Sequence, residues 1–357
     1  MPKIVAQDDK IIRSAQVILD PDTDPERLAA IADYYSVDMK DFDGFLAKLR
    51  GLAEGLFPAS FTMVDDQETF RAEIKDADAT IVENFTIGEE ELSTAPNLKI
   101  VQKFGVDLRN IDLEACARHE VVVKPLRRRV NIAVAEHAFA LVMALAKKIV
   151  STEGRLDEDS LRDAGYQPKM YDARHVAAAN WARVGGLVTL QGSTIGVLGL
   201  GEIGRELAER AKAFNMNIVY YQRTRLPADI EAALGARYVS FEELLEQSDF
   251  MTIQLPLNAS TEGMIDKAAF ARMKPGAFLV NISRAAIVDR NALMEALESG
   301  RLGGAGIDVH YKEPGDKDEP LKNFDNVVLS PHIAVASRMN GAADMEELVV
   351  NITEAMR

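Results

Sequence analysis

The feature that most constrains this chain is the turn Gly199-Leu-Gly-Glu-Ile-Gly204, which follows the apolar run Thr194-Ile-Gly-Val-Leu198 and opens a helical pattern from Arg205 to Phe214. A lone G-x-G-x-x-G carries little information. Between a strand and a helix it marks a unit that binds a dinucleotide. Gly199 permits the tight turn, Gly201 lets the backbone approach a pyrophosphate, and Gly204 lets helix and strand pack closely. The phosphates are expected at the helix N-terminus, against Glu202, Ile203 and Gly204, where N–H groups and the helix dipole favour negative charge.

The strand after that helix ends Ile218-Val-Tyr-Tyr-Gln-Arg-Thr-Arg225. An acidic residue about 20 positions past the glycines normally holds the ribose 2′-hydroxyl. Gln222 stands there instead, followed by Arg223, Thr224 and Arg225. A carboxylate repels a 2′-phosphate, whereas Arg and Thr bind one through charge-assisted hydrogen bonds. The expectation is NADP in preference to NAD, with Gln222, Arg223 and Thr224 around the 2′ position.

The rest of the chain reads as α/β. In the first half, strands are expected at Ala15–Leu19, Ala79–Val82, Leu98–Gln102 and Val121–Val123, with helices at Pro25–Tyr35 and Leu113–His119. A second run places strands at 195–198, 218–221, 250–255, 278–282, 306–309 and 327–329, and residues 335–357 close the chain as an amphipathic helix expected against the N-terminal domain. Strands alternating with helices imply doubly wound parallel sheets. The 357 residues suffice for two domains. Residues 131–149 form a very apolar helix, and Glu136, His137, Lys147 and Lys148 argue for a buried helix over a membrane span. The polar stretch 151–186, with Trp181, breaks the rhythm and reads as a surface excursion; a lid, a subunit contact and an inert insertion all stay open.

Composition narrows the class. A net charge of −15 argues against a nucleic-acid partner, which needs clustered Lys and Arg. The single cysteine, Cys116, excludes an internal disulfide and fits a reducing, cytoplasmic setting. MPKIVAQDDK has no apolar core of a secretory signal, and the five histidines show no zinc spacing, so no metal and no membrane are expected.

Three segments at strand ends carry chemistry: Asn281-Ile-Ser-Arg284, Asp308-Val-His-Tyr-Lys-Glu313-Pro314 and Ser330-Pro-His332-Ile. Ligands of open α/β sheets bind at such ends. Arg284 can hold a substrate carboxylate and polarise a carbonyl. His332 can donate a proton to a forming alkoxide or remove one in reverse. Glu313 can orient the imidazole and favour its charged form.

With these residues in view, the chain resembles the D-isomer-specific 2-hydroxyacid dehydrogenase family. The matching stretches are APNLKIVQKFGVDLRNIDLEACARHEVVV, NIAVAEHAFALVMALA, the glycine turn, VNISRAAIVDRNALMEALESGRLGGAGIDV, KEP and SPHIA, in the family's order from about residue 79 to 336. The resemblance implies two Rossmann-like or flavodoxin-like α/β domains. The cofactor domain, 127–332, is inserted into a discontinuous substrate domain made of 1–126 and 333–357. It implies Arg284, Glu313 and His332 as catalytic residues, and Pro256, Thr261, Ile282 and Asp308 at the cofactor, Asp308 near the nicotinamide amide. Gly105, Val106, Asp107 and Arg129 are expected at the substrate, a small 2-oxo or 2-hydroxy acid. It also implies a homodimer through the long apolar helix.

Departures from the family pattern concern the substrate. Asp107 replaces the second glycine of the substrate loop, and its charge would repel a carboxylate unless paired. Arg127-Arg128-Arg129 precede the apolar helix; one of them can offset Asp107 or bind a second acidic group, and a solvated set is the alternative. Glu313 and Val130 stand where formate dehydrogenases carry Gln and Asn, and Val106 stands where phosphite dehydrogenases carry Lys, so neither activity is expected. The expected reaction is 2-oxo-acid reduction of the glyoxylate or hydroxypyruvate reductase kind. The rival from another class is a nucleotide-sensing interaction protein resembling the C-terminal binding protein corepressors, which keep the same three catalytic residues.

Overall fold

The computed structural model describes all 357 residues and divides into two compact units, Met1–Asn131 with Val335–Arg357, and Ile132–Ala334. The chain therefore crosses between units at 131/132 and 334/335, against expected domain limits at 126/127 and 332/333.

The first unit holds β1 (Lys3–Gln7), β2 (Ser60–Val64), β3 (Ala79–Val82), β4 (Ile100–Lys103) and β5 (Val122–Pro125). They form one parallel sheet in the order β2-β1-β3-β4-β5, the flavodoxin-like winding. Helices cover both faces, so β3 and β4 are buried at every position. Successive side chains go to opposite faces: Ile4, Ala6, Ile81 and Ile100 join one core, Val5, Val82 and Val101 the other. The helix Met339–Met356 seals the first of these with Met345, Leu348, Val349 and Ile352, spaced as one helical stripe.

Ala15–Leu19 is not a strand but lies in a helix, Arg13–Leu19, buried at Ser14, Ala15, Val17, Ile18 and Leu19. A short helix buried on nearly every side has no polar face to show its period, and Val17 and Ile18 are β-branched. The strands that sequence reasoning missed here are β1 and β2.

The second unit holds β6 (Thr194–Leu198), β7 (Asn217–Tyr221), β8 (Ala236–Tyr238), β9 (Phe250–Ile253), β10 (Ala277–Asn281), β11 (Leu302–Ile307) and β12 (Val327–Leu329). Their order is β12-β11-β10-β9-β6-β7-β8, all parallel. The winding reverses between β6 and β9, which makes the switch point where open α/β sheets bind ligands. β11 starts four residues before its expected place because its glycines hide its strand character. They serve packing: a Cβ on Gly306 would lie 2.9 Å from Cβ of Leu141, and one on Gly304 would lie 2.4 Å from the Asn326 carbonyl. Leu141 belongs to the helix Arg129–Lys147, which is long and apolar enough to cross a membrane but is a core helix over β11, with 56% of its most apolar window buried. The excursion after it holds only the short helices Ile149–Thr152 and Glu158–Asp163.

Candidate active site

Backbone register gathers most of the expected cofactor and catalytic residues of the second unit. Leu198 pairs with Tyr221 and Ile253, Ile253 with Asn281, Asn281 with Ile307, and Ile307 with Leu329. The residues that follow these strand ends are Gly199, Gln222, Gln254, Ile282, Asp308 and Ser330, so six loops leave the sheet at one level.

The glycine turn has the geometry its spacing demands. Gly199 has φ of 100°, and a Cβ there would lie 2.9 Å from Leu255 and 3.1 Å from the Gln254 backbone. A Cβ on Gly204 would lie 2.3 Å from the Gly199 carbonyl oxygen. At Gly201, by contrast, a Cβ would meet nothing within 4 Å. Two glycines are thus required by the protein's own packing, while the third faces open space at the start of the helix Glu202–Ala213. That is the cradle a pyrophosphate needs, and the residues fit a dinucleotide.

Beside the turn, Oε1 of Gln222 accepts the Leu200 N–H at 3.0 Å, and its Nε2 donates to the Thr224 carbonyl at 2.7 Å. Arg225 forms a forked ion pair with Glu231 at 2.7 and 2.9 Å. Tyr220 adds a hydrogen bond to the same carboxylate, and the two donors bring Glu231 down to about 2. Arg223 and Thr224 are exposed, and Arg223 makes no ion pair. The loop from Pro256 to Thr261 is tied by the Thr261 hydroxyl, which donates to the Pro256 carbonyl at 2.7 Å and accepts the Asn258 N–H at 2.9 Å.

After β10, Ile282 is buried, and Ser283 is anchored by its hydroxyl to the Ile253 carbonyl at 2.6 Å. Asn281 caps the same turn by donating to the Arg284 carbonyl at 3.0 Å. This frames Arg284, whose guanidinium is exposed and donates only to the adjoining Ser283 carbonyl.

Glu313 and His332 meet: Oε2 lies 2.7 Å from Nδ1 of the imidazole. A carboxylate only accepts, so Nδ1 carries a hydrogen and Nε2 is left facing outward. The other oxygen of Glu313 accepts the His310 N–H at 2.9 Å. Burial alone would raise the Glu313 carboxyl, but these two hydrogen bonds outweigh it and hold it below the usual carboxylate range. Such a pair can orient an imidazole for proton transfer at Nε2. Asp308 is fully buried, and its oxygens accept the N–H groups of Ile333 and Ala334 at 3.0 and 2.9 Å and the Ser330 hydroxyl at 2.6 Å.

In the first unit, Gly105 is buried with φ of 149°, and its carbonyl accepts the Leu126 N–H at 3.0 Å. Val106 is exposed beside it. Asp107 is paired by Arg109, two residues on, at 2.9 Å. Arg128 lies over the Phe104 ring at 4.2 Å and 3.2 Å from Glu83. Arg129 is held by fully buried Asp344 at 3.0 Å and by Glu347 at 2.9 Å. That pairing gives no support to its expected place at the substrate. Lys103, which sequence reasoning missed, is buried and donates to Asn110 at 3.0 Å, bracing the loop. Its signal was a charged residue at the end of an apolar strand. Burial lifts the Cys116 thiol to about 11, so it is a core residue with no nucleophilic character.

A doubly wound sheet with this turn, and a Glu–His pair at the ends of its neighbouring strands, defines a nicotinamide-dependent dehydrogenase. The family described as D-isomer specific 2-hydroxyacid dehydrogenase, NAD binding domain, matches residues 139–334. Glyoxylate reductase of Thermococcus litoralis is 40% identical over 276 residues, 77% of this chain and 78% of the relative. Glyoxylate reductase of Pyrococcus furiosus is 38% identical over 286 residues, 79% and 80% of the two chains. Among solved structures, a glyoxylate reductase from Paecilomyes thermophila superposes with a TM-score of 0.54 at 27% identity, covering 98% of this chain and 93% of the other. The chain belongs to the D-isomer-specific 2-hydroxyacid dehydrogenase family. Its substrates are accordingly small 2-oxo and 2-hydroxy acids, interconverted with a nicotinamide cofactor.

Proposed function

We propose that the protein is an NADPH-preferring reductase of small 2-oxo acids, glyoxylate and hydroxypyruvate first, and works as a homodimer. The observation that carries the reductase reading is the Glu313–His332 pair, with the Nδ1 hydrogen on Glu313 and Nε2 turned outward. When bound, the nicotinamide supplies the hydride. Arg284, whose Nη1 is spent on the Ser283 carbonyl while Nε and Nη2 are left for a bidentate contact, holds the substrate carboxylate and polarises the carbonyl oxygen. His332 gives its Nε2 proton to that oxygen as it becomes an alkoxide, and Glu313 stabilises the imidazolium before the transfer. The Arg109 partner of Asp107 removes the repulsion that an unpaired carboxylate in the substrate loop would cause.

Support for NADPH comes from a 2′ region with no free carboxylate: Gln222 is neutral, Glu231 is neutralised by Arg225, and Arg223 is unpaired. Support for the dimer comes from exposed Ile149, Val150, Leu156, Met170, Val176 and Leu187, all in one stretch of chain. The test is oxidation of NADPH and NADH with glyoxylate, hydroxypyruvate, pyruvate, phenylpyruvate and a 2-oxo dicarboxylate, with molar mass measured by light scattering. Turnover of glyoxylate or hydroxypyruvate with a higher kcat/KM for NADPH is expected. No turnover with any pair overturns the enzyme assignment, and a lower kcat/KM for NADPH overturns the cofactor preference.

A further inference from the structure

Behind the Glu313–His332 pair lies a second chain of contacts that the proposed reaction leaves unused. His332 sits in a left-handed turn, with φ of 56°, a conformation that costs a non-glycine residue and persists only where neighbours hold it. The next two N–H groups, of Ile333 and Ala334, are gripped by the two oxygens of Asp308 at the end of β11. Ser330 donates its hydroxyl to Oδ1 of the same carboxylate at 2.6 Å. A hydroxyl has one hydrogen, so Ser330 Oγ can then only accept from its other neighbour. That neighbour is His137, from the long apolar helix, with Nε2 2.8 Å from Ser330 Oγ and 3.4 Å from Oδ1 of Asp308. His137 must therefore carry a hydrogen on Nε2. Burial would raise the Asp308 carboxyl; the hydrogen bonds from His137, Ser330, Ile333 and Ala334 outweigh it and hold it low. On the other side, Nε2 of His310 donates to the Ser330 carbonyl at 2.8 Å while its N–H holds Glu313.

From this sequence of donors we infer that His137 is a positioning residue: through Ser330 and Asp308 it fixes the left-handed turn that aims His332. It touches neither Glu313 nor His332, and its part is to keep the Asp308 carboxylate charged and oriented on the two N–H groups. The catalytic part of this inference rests on the proposed role of His332, and the NMR arm below does not.

The experiment compares His137→Ala with His137→Gln, whose amide N–H reaches the place of Nε2. With the 2-oxo acid, His137→Ala is expected to lower kcat on the order of tenfold while both KM values stay within about twofold, and His137→Gln to recover most of the loss. Histidine 15N spectra of the wild-type protein should show the Nε2–H tautomer at His137, and the His332 ring signals should move in His137→Ala without substrate. Unchanged kcat and unchanged His332 signals in His137→Ala overturn the inference. So does a glutamine variant no better than alanine, or an Nδ1–H tautomer at His137. If the wild-type protein turns over no substrate, the functional reading fails while the spectra still decide the positioning. If His137→Ala does not fold, the wild-type tautomer and His137→Gln decide.

Discussion

The Leu200 N–H donates to Oε1 of Gln222 across 3.0 Å, joining the phosphate turn after β6 to the end of β7. The side chain proposed to face the 2′ position is therefore locked to the glycine turn itself. Its amide nitrogen is spent on Thr224, and of the two nearby arginines Arg225 is spent on Glu231. Arg223 is exposed and makes no ion pair, and the proposed NADPH preference rests on it.

Replacing Gln222 with Glu and Arg223 with Ala keeps the acceptor for Leu200 and puts a carboxylate at the proposed 2′ site. The NADPH to NADH ratio of kcat/KM should fall about tenfold to a hundredfold, the worth of one charge-assisted hydrogen bond. Arg225→Ala should leave the ratio in place, since that side chain is occupied. Steady-state kinetics with both cofactors separates the two arginines.

Arg284→Ala should lower kcat/KM for the 2-oxo acid by at least about a hundredfold, the range for losing a charge-stabilising donor. Cofactor binding measured by NADPH fluorescence should be little changed, because the guanidinium makes only the Ser283 contact within the protein. Near-normal kinetics would remove Arg284 from the mechanism.

Glu313→Gln loses the carboxylate that fixes the Nδ1–H form of His332. Turnover should fall on the order of a hundredfold, as expected when a proton-transfer group is misoriented. The loss should show in kcat rather than in cofactor affinity.

Gly201→Ala and Gly204→Ala should fail differently. The Gly204 methyl would lie 2.3 Å from a carbonyl oxygen, so the fold should lose about 1–3 kcal/mol in denaturant titration. At Gly201 the methyl meets no protein atom and φ is −74°. Stability should hold while cofactor Kd rises about tenfold or more, since 1.4 kcal/mol is tenfold.

Glu231, lowered from 4.5 to about 2 by Arg225 and Tyr220, couples pH to stability. Its native form is more acidic than its unfolded form, so its contribution is complete above pH 4.5 and disappears as pH falls toward 2. In Tm measured against pH, Glu231→Gln should be less stable than wild type near neutrality, and the gap should close across that window.

Much of this was legible in the sequence because local physics writes it there. A glycine turn between strand and helix has one backbone solution, and the lone candidates Arg284, Glu313 and His332 all follow strand ends, where parallel sheets place their ligands. The short pieces were illegible: the buried helix at Arg13–Leu19 and the three-residue β8 show no period, and β11 is masked by glycines whose purpose is a neighbouring helix.

Partners were decided by the tertiary structure alone. Arg129 finds Asp344, 215 positions away, and His137 finds Ser330, 193 positions away. Even Asp107, whose partner Arg109 is two residues distant, depends on the loop conformation that turns the guanidinium back. Periodicity tells which face of an element is buried. It carries no information about which charges meet, because that depends on how distant elements pack and on which donor reaches a buried carboxylate.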